Sequence, residues 1–151
     1  MTEKVLKGSW VIDASPEDIF NIVTDFERAP EYFPVVAKGM KVIVRNGNHL
    51  EIEATTNTFG IHFKVKMKTE ILPGKGFKSI NESAIAIEDE QFLIEPNPGG
   101  TKIDYLNKVT IKNNFLKLFS WLIIGKGAIK FWEWAYIDRL KKVLDKNDYQ
   151  N

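Results

Sequence analysis

Few side chains in this sequence are placed to do chemistry, and the best of them fall on faces that should be dry. In Ile103, Tyr105, Asn107, Val109 and Ile111, every second residue shares one face of a strand, against Lys102, Asp104, Lys108 and Lys112 on the other. Tyr105 and Asn107 are the polar members of that apolar face. Thr56 and Thr58 interrupt Leu50, Ile52 and Ala54 in the same way, and Thr69 interrupts Phe63, Val65, Met67 and Ile71. A polar side chain on a buried face costs stability unless it finds a partner. Two readings stand. The polar groups bond to one another or to backbone, or they orient a ligand in an otherwise apolar pocket. Tyr105 and Asn107 are the leading pair. In an enzyme, Tyr105 would act as acid or oxyanion donor while Asn107 positions a carbonyl. No buried carboxylate or histidine base is apparent beside them, which counts against catalysis.

Other chemistries are poorly supplied. The chain has no cysteine, which excludes disulfides, thiolate metal sites and a cysteine nucleophile. His49 and His62 stand at no metal-ligand spacing, and alternation puts His62 on the wet side. There is no Gly-x-Ser-x-Gly, no P-loop and no dinucleotide fingerprint. No cofactor or metal ion is expected. The acidic run Glu88-Asp89-Glu90 reads as a solvated turn or strand start. Lys64, Lys66 and Lys68 form a basic row, but Glu51, Glu53 and Glu70 should lie on the same face. With a net charge of +1, no nucleic-acid partner is expected.

The elements that must position these residues are mostly strands. Asn46-Gly47 marks a hairpin between Met40–Arg45 and His49–Thr58. Gly60 separates that strand from Ile61–Leu72, and Pro73-Gly74-Lys75-Gly76 makes the next turn. Phe77–Ser83 and Glu88–Glu95 are weaker strands, and Pro96-Asn97-Pro98-Gly99-Gly100 turns into Thr101–Lys112. Strands joined by short turns form an antiparallel meander with one wet and one dry face. At 151 residues the chain is expected to be one domain, residues 1–151, large enough for a proper core. The start, MTEKVLKGSW, lacks an apolar signal core. Phe115–Ile124 is the greasiest stretch and falls short of the roughly 20 residues a membrane span needs. A cytoplasmic location is the expectation.

Ahead of the meander, VIDASPEDIFNIVTDFERAPEYFPVV (residues 11–36) reads as strand end, capped helix and turn-rich aromatic segment. Ser15 can accept from first-turn N–H groups, and Pro16 suits the first helical position. Glu17 and Asp18 favour the positive helix end. Ile19, Phe20, Ile22, Val23 and Phe26 recur at helical spacing, and Pro30 and Pro34 prevent a long continuation. The stretch DASPEDIFNIVTDFERAPEYFP (residues 13–34) resembles the opening of the START-like superfamily, also called SRPBCC or birch-pollen-allergen-like. Its polyketide cyclase/dehydrase and coenzyme-Q-binding branches are the most similar, the latter through Pro30–Val36. The resemblance implies an α+β helix-grip fold: a curved antiparallel sheet around a long C-terminal helix, with two short helices after the first strand. It also implies a cavity for a hydrophobic small molecule (a lipid, quinone, isoprenoid or polyketide-like compound), carried or, alternatively, cyclised or dehydrated there.

The C-terminal helix is expected from Ala128 to about Asp145, after a break at Gly125-Lys126-Gly127. Ile129, Trp132, Tyr136, Leu140 and Val143 form its apolar stripe. Trp132 and Tyr136 read as plain core by spacing; the resemblance makes them cavity lining. The expected ligand-binding set is therefore Thr56, Phe63, Met67, Thr69, Tyr105, Asn107, Trp132 and Tyr136. Phe131 and Trp134 fall off the stripe, and Phe115–Ile124 has more apolar residues than one buried face needs. They are read as packing on neighbours, as a dimer contact that would make the chain a homodimer rather than a monomer, or as a transient membrane contact near Lys117, Lys126 and Lys130.

Overall fold

The computed structural model describes residues 2–58, 61–112 and 126–148. It is α+β. Strands β1 (Thr2–Ile12), β2 (Ala37–Asn46), β3 (His49–Thr58), β4 (Ile61–Leu72), β5 (Gly76–Glu82), β6 (Ala86–Asn97) and β7 (Gly100–Ile111) form one antiparallel sheet. Its order is β1-β7-β6-β5-β4-β3-β2, so β2 to β7 are a meander and β1 pairs with the last strand. Helix α1 (Pro16–Val23), a 3-10 turn (Phe26–Arg28) and the single-turn α2 (Ala29–Tyr32) link β1 to β2. Helix α3 (Lys126–Trp132), a π-helical turn (Glu133–Ile137) and α4 (Asp138–Asp148) follow one another at the C-terminal end. Phe115–Ile124 lie outside the described residues, so the greasy segment expected there is not placed.

Local sequence accounts for most of these elements. Ser15 Oγ accepts from the Asp18 N–H at 3.1 Å, and Pro16 opens α1. Gly47, at φ 60°, makes a two-residue turn with Asn48 between β2 and β3. Gly76, at φ 119°, opens β5 against β6, where a Cβ would lie 1.9 Å from the Phe92 carbonyl oxygen. The wet face carries matched charges: Glu51 pairs with Lys68 and Glu53 with Lys66 across β3 and β4. The lysine row is thus interleaved with carboxylates, as alternation implies.

The dry face packs against α1, the turns after it and the C-terminal helix. Ile19, Phe33, Ile52, Phe92, Ile103, Ile137 and Leu140 are among its fully enclosed residues. Leu140 and Val143 are buried as their spacing implies, but Ile129 is only half-buried. Ala135 and Ile137, which the stripe omits, are wholly enclosed. The π turn explains this: the Asp138 N–H donates to the Glu133 carbonyl, five residues back. That bonding admits one extra residue, so the inward face changes phase. The helix also starts at Lys126, two residues before the expected Ala128, with Gly127 inside it. Arg139 Nε ties it to the Tyr32 carbonyl at 3.2 Å.

Candidate ligand-binding site

Between the sheet and the C-terminal helix lies a cavity of about 270 Å³. Aromatic rings form much of its wall. Trp132 stacks on Tyr105 at 3.9 Å between centroids and on Tyr136 at 4.8 Å, and Tyr136 stacks on Phe33 at 3.9 Å. Phe77 and Phe92 continue the wall in parallel at 5.6 Å. Behind it, Trp10 meets Trp132 at 5.4 Å. Met40, Val65, Met67 and Ala128 supply aliphatic lining. A smaller space of about 100 Å³ adjoins this cavity, sharing Leu6, Thr56, Val65, Glu88 and Asn107 with it.

The wall also carries two carboxyls, Glu88 and Glu90. This corrects the reading of Glu88-Asp89-Glu90 as a solvated run. Only Asp89 points outward; its two neighbours lie on the inner face of β6, in line with Phe92 and Ile94. It also removes the objection that no buried carboxylate stands near Tyr105 and Asn107. Both residues are bonded to one. Tyr105 Oη donates to Glu90 Oε2 at 2.6 Å, and Asn107 Nδ2 donates to Glu88 Oε1 at 2.9 Å.

Register builds this cluster. Tyr105 faces Phe92 and Asn107 faces Glu90 across the β6–β7 ladder, so each donor reaches the carboxyl one diagonal step away. On the other side, Asn81 faces Glu88, and its Nδ2 reaches Glu90 Oε1 at 3.3 Å. Ser79 Oγ donates to Asn81 Oδ1 at 2.6 Å and lies 2.8 Å from Thr69 Oγ1. Ser79 has one hydroxyl proton, spent on Asn81, so Thr69 is the donor of that last bond. A relay thus runs from Thr69 through Ser79 and Asn81 to Glu90 and Tyr105.

The two carboxyls are not equivalent. Burial raises both. Glu90 is opposed in this by two donors, Tyr105 and Asn81. Glu88 has Asn107 alone, and the charge of Glu90 raises it further, to about 7. Of the two, Glu88 is therefore the carboxyl that keeps its proton more readily. Burial, then the neighbouring carboxylates, push the Tyr105 phenol well up, so it stays a donor. Among the described residues lining the cavity there is no lysine, arginine or histidine.

Of the eight residues expected at the site, Thr56, Met67, Tyr105, Asn107, Trp132 and Tyr136 line the main cavity. Phe63 lines the smaller space. Thr69 lines neither; it is buried behind the wall at the end of the relay. Phe131 is at once a lining residue and half-exposed, and Trp134, at 57% exposed, packs its ring 5.9 Å from that of Phe131. Glu88, Glu90, Asn81 and Ser79 were missed. Counting back by twos from Phe92 finds the glutamates, and counting forward by twos from Phe77 finds the other two.

A family model described as polyketide cyclase/dehydrase and lipid transport matches residues 12–121. The chain belongs to this family. No curated protein matches it in sequence. Several solved structures share the fold. A Thermus thermophilus protein, TTHA0849, superposes with a TM-score of 0.75 at 14% identity, over 93% of this chain and 95% of that one. A START superfamily protein from Mycobacterium smegmatis gives 0.70 at 18% identity, over 97% of each chain. Zhui aromatase/cyclase from Streptomyces sp. R1128 gives 0.67 at 10% identity, over 97% of this chain and 90% of that one. Identities this low establish the fold alone. They bear out the helix-grip expectation, and no helix among the described residues is long and apolar enough to cross a membrane.

Proposed function

We propose that this protein binds a compact hydrophobic small molecule between its sheet and C-terminal helix. The observation that carries this is the cavity itself: aromatic and aliphatic walls around one polar cluster, the make-up of small-molecule sites. Its volume of about 270 Å³ lies near the small end of ligand pockets. That size favours a ligand of one or a few rings, or a short isoprenoid, over a diacyl lipid. Native mass spectrometry of the purified protein, with extraction and identification of what co-purifies, is the test. A stoichiometric apolar passenger supports binding; passengers of diacyl-lipid size would contradict the compact-ligand reading.

The Glu88–Glu90 pair favours a second reading, an enzyme that moves a proton on a bound carbonyl compound. Tyr105 and Asn107 then serve differently from the roles first expected, because their donors are engaged by the carboxyls. Glu88 would accept the α-proton of the ligand, exchange it with solvent and return it, with Glu90, bonded to Tyr105 and Asn81, beside it. β-Tetralone in D2O provides a probe. Wild-type protein should accelerate its α-deuteration, more so as pH rises through about 7, and Glu88→Gln should abolish the acceleration. Equal rates in wild type and variant would eliminate this role.

A further inference from the structure

The side-chain donors of the polar cluster are directed at its two carboxyls. Tyr105 Oη and Asn81 Nδ2 are committed to Glu90, and Asn107 Nδ2 to Glu88. Acceptors remain. Among the described residues Glu88 Oε2 takes no hydrogen bond and Asn107 Oδ1 is buried without a partner. Asn107 is 4% exposed and borders both the main cavity and the smaller space. A buried acceptor left unpaired is costly. What would satisfy this cluster is a group that brings donors.

Charge sharpens the choice. Among the described residues, the titratable groups facing the pair are Glu88 and Glu90 themselves on β6, Tyr105 on β7 and Tyr136 on the C-terminal helix, and none of these can carry a positive charge. A buried carboxylate normally stands beside a cation. Among the described residues the wall supplies none. We propose that the ligand of this cavity is a hydrophobic amine, bound as its ammonium ion with the N–H groups directed at Glu88, Glu90 and Asn107 Oδ1. This rests on the binding reading above and narrows its ligand class. The ammonium takes the place of the proton on Glu88, so binding releases a proton.

Three isosteres test this: 2-(2-naphthyl)ethylamine, 2-(2-naphthyl)ethanol and 3-(2-naphthyl)propanoate, each titrated by calorimetry at pH 7 in two buffers of different ionisation enthalpy. The amine should bind about tenfold or more tighter than the alcohol, the gain expected of a charge-assisted bond, and the propanoate weakest. The buffer dependence should show net proton release for the amine alone. In the Glu88→Gln, Glu90→Gln double variant the amine should lose its advantage, while binding of the neutral probe Nile red shows that the cavity is intact. An alcohol that binds as tightly as the amine, or an amine advantage that survives the double variant, overturns the ammonium proposal and leaves the binding reading standing. If neither the isosteres nor Nile red bind the wild-type protein, the binding reading falls with it.

Discussion

Replacing Glu88 by Gln should stabilise this protein at alkaline pH and leave it nearly unchanged in acid. Glu88 holds its proton to about 7 in the folded chain, against an ordinary 4.5. Between those values the folded state binds more protons than the unfolded state, so stability falls as pH rises through the window. At about 1.4 kcal/mol per pH unit, the loss is about 3 kcal/mol by pH 8.5. Gln cannot ionise, keeps the shape, and still accepts from Asn107 Nδ2. The variant should therefore match wild type at pH 4, where Glu88 is protonated in both states, and exceed it by up to about 3 kcal/mol at pH 8.5. Urea unfolding of both proteins at the two pH values measures the difference, and subtraction cancels the other titrating groups. A stability gap that does not change with pH would refute the assignment of a buried, proton-holding carboxyl at Glu88. A gap that opens in acid would reverse its sign.

Other substitutions probe the surroundings of the pair. In Glu90→Gln, the carbon-13 carboxyl titration of Glu88 should move below about 7 yet stay above 4.5, because burial outweighs the charge of Glu90; a midpoint unmoved would show that the two carboxyls do not interact. Tyr105→Phe removes the 2.6 Å bond to Glu90 and should cost about 1.5–3 kcal/mol at pH 8, shrinking in acid as Glu90 protonates; an equal cost at both pH values would assign Tyr105 a packing role only. Gly8→Ala places a Cβ 2.3 Å from the Trp10 ring and should displace that indole from Trp132, costing about 1–3 kcal/mol and changing the tryptophan fluorescence; unaltered stability and emission would contradict the packing described.

How much of this was readable in the sequence depended on whether a signal was local. The Ser15-Pro16 cap is local, and it stands as read. Alternation in β4 and β7 is clear because lysines and acids mark the wet face, so Met67, Tyr105 and Asn107 could be put on the dry one. The same rule failed in β6, where three acids in a row hide the alternation and the usual preference of carboxylates for water argues the wrong way. What keeps Glu88 and Glu90 inside is donors on other strands: Asn107 and Tyr105 across one ladder, Asn81 across the other. No spacing within residues 88–90 reports them. The π turn was hidden for a related reason. Counting at 3.6 residues per turn carried the stripe correctly from Leu140 to Val143 but not through Ala135 and Ile137, because the phase change lies between.

The cavity claim is tested most directly by methyl-labelled NMR of the wild-type protein during titration with Nile red. Saturable shifts should centre on Met40, Val65, Met67 and Ala128, which line the cavity, while Val11 and Ile80 on the outer face stay still. Shifts confined to Val11, Ile80 and their exposed neighbours, with the lining methyls unmoved, would place the hydrophobic site on the surface and contradict a binding role for the cavity.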